Sequence, residues 1–261
     1  MIKIEKTTCY GFEEAIRGMR NPKNSWDRSD SYKTHIENPD TLNTADFAYF
    51  VGENDHKLMM SLAKGGAVHA KYRRYIDVYV DVTAPLYWWK EFDTYRTAFA
   101  PNPFDIEMNS CSTMHKIPEK EFTLDDFSSD YLISADIGSN IEACSTWINN
   151  ADGSEHLFTP AYILKLTIDI LNANRRAYLD TKEKKYWWQM IQLLPTSYNQ
   201  KRTLKLNYET LANMYEYRQN HKLDEWREFC SWIDSLPYSE IITGKEESEA
   251  SDECAACKIN L

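Results

Sequence analysis

Alternation of apolar and polar residues is clearest between Tyr72 and Thr83, where Ile76, Val78, Val80 and Val82 fall on one side of an extended chain and Asp77, Tyr79 and Asp81 on the other. A two-residue period predicts a strand with one face in the core and the other polar. Ala84-Pro85 ends that strand, and the aromatic-rich stretch Leu86 to Tyr95 reads as a helix. Upstream, Ile2 to Thr7 predicts a short strand, followed by a helix that carries Phe12, Ala15, Ile16 and Met19. Asp55 to Lys64 places Leu58, Met59 and Leu62 on one helical side, and Gly65-Gly66 closes it. Further helical periods cover Ala161 to Leu179, Lys182 to Leu193, Tyr208 to Tyr217 and Leu223 to Leu236, with a strand from Tyr198 to Leu206. The Asn-, Asp- and Ser-rich stretch 21–44 and the Pro-containing stretch Thr97 to Met108 read as loops.

With 261 residues, 43% of them hydrophobic and 13% aromatic, the chain can bury a sizeable core, which excludes a disordered protein. No repeat or linker composition divides it. The reading is one α+β domain over residues 1–243 and an acidic, Ser-rich, mobile tail over 244–261. Thirty basic against 40 acidic side chains give a net charge of −10, which argues against a nucleic-acid polymer as partner. A small anionic ligand needs only a few local donors and stays open. No apolar run approaches the roughly 18 residues of a membrane span. The first residues, Met1-Ile2-Lys3-Ile4-Glu5-Lys6, lack the apolar segment of a signal peptide, and six cysteines are too sparse for a disulfide scaffold. The expected setting is soluble, reducing and cytoplasmic.

Taken alone, the residues show no phosphate loop, dinucleotide glycine fingerprint or zinc helix. Cys254 and Cys257 lack a second pair at zinc spacing, so no metal is expected. Trp88-Trp89 and Trp187-Trp188 offer stacking surfaces, but neighbours on a helix point about 100° apart. Core packing or an oligomer interface is the reading for both pairs. Tyr72-Arg73-Arg74-Tyr75 is read as strand-edge ion pairing.

One stretch carries more. Ala84-Pro85-Leu86-Tyr87-Trp88-Trp89-Lys90-Glu91-Phe92-Asp93-Thr94-Tyr95-Arg96 resembles the core segment of flavin-dependent thymidylate synthases, in which Ala-Pro leads into a helix ending Arg-His-Arg and a Ser-containing segment follows. That closing segment would be Asn109-Ser110-Cys111-Ser112-Thr113-Met114-His115. His69 upstream, and Leu194-Pro195, Asn207, Asn213 and Arg218 downstream, stand at the family's spacings, so the similarity runs from about His69 to the Leu223–Leu236 helix. The departures are Thr94-Tyr95 in place of Arg-His, Glu91 for a Gln, Met114 and Ile191 for two phosphate-binding Arg residues, and Glu209 for the Arg of Asn-x-Arg. His115, Lys116, Lys90 and Lys71 are the cations available to compensate.

The resemblance implies a central, mostly antiparallel sheet flanked by helices, in a homotetramer. It also implies FAD at subunit interfaces, NADPH and methylenetetrahydrofolate as cosubstrates, and reductive methylation of the nucleotide dUMP to dTMP. Carried over by position, His69, Lys71, Thr94, Tyr95, Arg96, Asn207 and Asn213 would hold FAD. Glu91, Ser110, Ser112, Thr113 and Arg218 would touch the nucleotide, and Arg218 would activate the base. Structural roles stand beside these: a salt bridge of Arg218 with Glu216 or Glu225, a helix cap at Asn207, a helix cap at Ser112, and an ion pair of Arg96 with Asp93, Glu91 or Asp105. A protein that keeps the fold without the reaction, or one that takes another pyrimidine nucleotide, is the alternative.

Overall fold

The computed structural model describes residues 2–36, 46–97, 106–134, 145–149, 153 and 155–245. The expected tail with Cys254 and Cys257 and most of the Thr97–Met108 stretch lie outside the described residues, as does the side chain of Arg96. The class is α+β, with a central antiparallel sheet flanked by helices. Packing marks two compact units, and neither is continuous in sequence: Ala84–Lys90 with Ser110–Gln200, and Ile2–Thr83 with Glu91–Asn109 and Lys201–Leu261.

The second unit holds the sheet, ordered β1 (Lys3–Tyr10), β4 (Asp77–Pro85), β8 (Asn199–Asn207), β5 (Glu107–Ser110). The alternation in β4 is realised: Ile76, Val78, Val80 and Val82 are all essentially inaccessible, while Tyr79 is exposed. On the polar face Lys201 lies 3.0 Å from Asp81, and Lys205 lies 3.1 Å from Asp77. The β1–β4 register shifts between Glu5 and Thr8, and Lys6 adopts a left-handed φ of 54° there, as a bulge requires. Helices α1 (Phe12–Arg20), α2 (Glu53–Lys64), α7 (Tyr208–Arg218), α8 (Asp224–Asp234) and α9 (Glu240–Thr243) complete this unit. Their apolar residues Phe12, Ile16, Met59, Leu211, Phe229 and Ile233 are buried.

Several local expectations change. Residues Lys71–Tyr75 form a 3-10 turn, not the start of the strand. Tyr72 is buried there and its hydroxyl donates to the Met59 carbonyl (2.8 Å). The stretch 21–44 contains two 3-10 turns, at Asn21–Lys23 and Trp26–Arg28, and a strand β2 (Tyr32–Ile36) paired with β3 (Asp46–Phe50). Strand β4 continues through Pro85 into α3 (Leu86–Phe92), and the predicted longer helix is broken at Asp93 before the one-turn α4 (Thr94–Thr97). Asp93 accepts from Arg202 Nη1 (2.9 Å), which holds this break in place and makes Arg202 its observed partner.

In the first unit, α5 (Pro160–Thr181) and α6 (Lys184–Leu193) follow the hairpin β6 (Thr146–Asn149) and β7 (Glu155–Phe158). Thr159 caps α5 by accepting from Tyr162 N (3.3 Å), and Pro160 occupies its first turn. The core gathers Ile117, Phe122, Phe127, Leu164, Leu171 and Met190, with Ile191 and Trp187 against it. Asn172 is buried and clamps the Phe122 backbone, accepting from its N–H (2.9 Å) and donating to its carbonyl (2.8 Å). Trp88 and Trp89 are fully buried, their rings 4.9 Å apart, and Trp89 Nε1 donates to the Gln200 carbonyl (2.9 Å). Core packing is therefore the use of this pair.

Candidate functional site

The C-terminal end of α7 brings Arg218 to a cluster with Glu91, Tyr95 and Trp226, residues of the second unit that come from three helices. Its Nη1 donates to Glu91 Oε2 (3.0 Å), from α3, and its Nε donates to the Tyr95 hydroxyl (2.8 Å), from α4. The guanidinium also lies over the rings of Trp226 (4.6 Å to the centroid), from α8, and Tyr95 (5.4 Å). A planar, weakly hydrated cation suits such a position, because its edge hydrogen-bonds while its face meets the ring quadrupole. Trp226 is fully buried, and its Nε1 donates to the same Glu91 oxygen (3.1 Å). Burial pushes the Tyr95 phenol above its ordinary value, although Arg218 beside it acts in the opposite sense. Tyr95 therefore stays neutral and accepts from the guanidinium.

The cluster depends on local chain reversals. Thr94 Oγ1 donates to the Glu91 carbonyl (2.6 Å), which fastens α4 to the end of α3. After α7, Gln219 N donates to the Tyr215 carbonyl and His221 N to the Arg218 carbonyl (3.0 Å), so the chain turns at once into α8. His221 thereby faces Glu91, with Nε2 3.6 Å from Oε2, and its ring meets the Trp226 ring edge at 6.4 Å.

Of the candidates named from sequence, Glu91, Thr94, Tyr95 and Arg218 meet in this cluster. Arg218 is thus ion-paired, with Glu91 and not with Glu216 or Glu225. His69 is exposed in the turn after Gly66, where its N–H donates to the Gly66 carbonyl (2.9 Å), and Lys71 is exposed beside it. Asn207 is buried and caps α7, its Oδ1 accepting from Thr210 N (2.9 Å), while Asn213 is half-buried on that helix. Ser110, Ser112 and Thr113 belong to the first unit. Ser112 caps no helix: its Oγ accepts from Met114 N (3.3 Å) and His115 N (3.0 Å) in a turn. Two of the positions that depart from the family pattern have structural contacts. Ile191 packs on the apolar cluster of the first unit, and buried Glu209 lies 3.5 Å from Arg73 Nη1. Arg73 is therefore ion-paired as expected, from a 3-10 turn instead of a strand edge. Trp226 and His221 carry no signal of their own in the sequence, since only the reversal at 219–223 brings α8 against Arg218.

At the sequence level, no family profile matches the chain and no curated protein does. Among solved structures, Thymidylate Synthase X (ThyX) from Helicobacter pylori with FAD and dUMP aligns with a TM-score of 0.55 at 13% identity, covering 92% of this chain and 96% of that one. A UMP/dUMP methylase, PolB, from Streptomyces cacaoi bound with 5-Br UMP aligns with a TM-score of 0.52 at 12% identity, over 94% of each chain. The chain therefore has the fold of the flavin-dependent thymidylate synthases, the family its sequence resembles. Among the described residues, no helix is long and apolar enough to cross a membrane.

Proposed function

We propose that this protein is a flavin-dependent, nucleotide-methylating enzyme that reductively methylates dUMP to dTMP. The observation that carries the reading is Arg218, held by Trp226, Tyr95 and Glu91 at the end of α7. A fixed guanidinium of this kind can donate to an oxygen on a pyrimidine ring as negative charge develops there, and its orientation is settled before the base arrives. Glu91 and Arg218 would meet the base; Ser110, Ser112 and Thr113 are also proposed as nucleotide contacts.

The donor set suits FAD, which carries phosphates and a hydrogen-bonding ring. His69 and Lys71 are exposed and able to meet an anion, Asn213 offers an amide, and Asn207 has a second amide atom besides its cap. Thr94 and Tyr95, with Arg96, complete the candidate flavin residues. FAD, when bound, supplies the hydride that completes the methyl group. Methylenetetrahydrofolate is the one-carbon donor in this reading and NADPH the source of electrons. The setting is a cytoplasmic homotetramer. The H. pylori structure with FAD and dUMP supports the reading through the shared fold.

A second reading rests on the Glu91–Arg218 pair itself: the charge of Arg218 already has a counter-ion, as in a homologue with altered specificity or without the reaction. The test is an absorbance spectrum of purified protein before and after incubation with FAD and desalting, followed by a dUMP methylation assay. Retained flavin with dTMP formation is the expected result. Flavin without turnover favours the second reading, and the absence of both flavin and turnover removes the enzyme reading.

A further inference from the structure

The Glu91 carboxylate makes its hydrogen bonds through one oxygen. Oε2 receives Arg218 Nη1 (3.0 Å) and Trp226 Nε1 (3.1 Å), with His221 Nε2 at 3.6 Å. Among the described residues, nothing donates to Glu91 Oε1 and nothing accepts from Arg218 Nη2. Glu91 therefore keeps one acceptor, and Arg218 one donor, with no partner among the described residues. An acceptor and a donor of this kind complement a planar heterocycle that carries a donor next to an acceptor, as the N3–H and carbonyl of a pyrimidine do.

His221 stands beside this carboxylate, its Nε2 3.6 Å from Glu91 Oε2. The Leu223 amide donates to His221 Nδ1 (3.2 Å), and a nitrogen that accepts a hydrogen bond carries no proton of its own. The remaining proton of a neutral ring must then sit on Nε2, which faces Glu91 Oε2. Leu223 is also the N-cap residue of α8, so the tautomer is set by the same backbone that places Trp226.

We propose that His221 is a positioning residue. Held as its Nε2–H tautomer by the Leu223 amide, it turns a donor toward Glu91 Oε2 and so helps leave Oε1, with Arg218 Nη2, available for base recognition. The base-recognition part of this proposal rests on the functional reading above; the tautomer does not.

Two measurements separate them. The first is a long-range ¹H–¹⁵N correlation on histidine-labelled, ligand-free protein at neutral pH. It should show His221 protonated at Nε2 only, and Leu223→Pro should release that preference. The proline ring suits the φ of −75° at this position while removing the amide hydrogen. A wild-type signal from an Nδ1–H tautomer or an imidazolium overturns the proposal.

The second is a dUMP titration of FAD-incubated protein. His221→Phe keeps an aromatic ring against Trp226 but has no donor, and is expected to weaken dUMP binding about tenfold with an unchanged thermal midpoint. His221→Gln, whose amide reaches the Nε2 position, should restore most of it. Wild-type affinity in the Phe variant overturns the positioning role. No dUMP binding by the wild type overturns the functional reading, and the tautomer measurement then decides the His221 assignment alone.

Discussion

Arg218 Nη1 lies 3.0 Å from Glu91 Oε2, so the cation best placed to act on a base carries its own counter-charge, although 127 residues separate the two in sequence. The pair is partly exposed, with 38% of the Glu91 side chain accessible, so its contribution to stability is screened. Glu91→Gln should cost less than about 1 kcal/mol, seen as a shift of a few degrees at most in thermal midpoint. Its larger effect should be on selectivity. A carboxylate can accept from the N3–H of uracil but cannot donate to the unprotonated N3 of cytosine, whereas an amide can do either. Comparative titrations should therefore show the ratio of dUMP to dCMP affinity falling in the Gln variant. An unchanged ratio would mean that Glu91 does not face the base.

The firmest prediction about stability concerns the fully buried Asp55, which accepts from Arg20 Nε (2.5 Å), Ser29 Oγ (2.7 Å) and Ser31 Oγ (2.7 Å). Burial alone would raise its pKa, but the hydrogen bonds from Ser31, Ser29 and Arg20 together hold it below the ordinary carboxylate value. A folded-state pKa below the unfolded one means stabilisation that is fully present above about pH 4 and lost as pH falls through the folded value. Thermal midpoints measured from pH 7 down to pH 3 should fall more steeply for wild type than for Asp55→Asn. At neutral pH, Asp55→Ala leaves the Arg20 charge buried and should cost on the order of 3–5 kcal/mol.

Gly11 adopts a φ of 94° just before α1, and a Cβ built on it would lie 1.9 Å from the Tyr75 carbonyl oxygen. The obstacle is backbone, so no rotamer change relieves it, and the left-handed φ adds its own strain. Gly11→Ala should lose on the order of 2–4 kcal/mol, read from the urea midpoint at unchanged slope. A loss below about 0.5 kcal/mol, within the range of ordinary surface substitutions, would mean that the turn at Gly11 relaxes freely.

These residues also mark what a sequence can and cannot convey. Val78, Val80 and Val82 announce their strand because burial on one face leaves a two-residue period in the chain itself. Tyr72 and Arg73 look like more of that strand, yet their partners Met59 and Glu209 come from α2 and α7, and those tertiary contacts favour a 3-10 turn. Arg218 is legible only through the family resemblance, which sets it at the family's spacing from Asn207 and Asn213. Its partners Glu91, Tyr95 and Trp226 arrive from other helices, and no periodicity records such a meeting. Asp93 is similar: its observed partner, Arg202, is 109 residues away.

Asn207 separates a structural role from a functional one in a single position. Its Oδ1 caps α7 by accepting from Thr210 N (2.9 Å), and the residue is buried. Asn207→Ala removes the cap and should cost about 1 kcal/mol. Asn207→Asp keeps an acceptor at the helix N-terminus, where negative charge is favourable, and should stay within about 0.5 kcal/mol of wild type. The amide donor is lost in both variants. If Asn207 also holds the flavin through that donor, the Asn207→Asp variant should unfold like wild type yet retain less flavin after desalting. Undiminished flavin retention in that variant would remove Asn207 from the flavin site. The residue would then serve only to start the helix that carries Arg218.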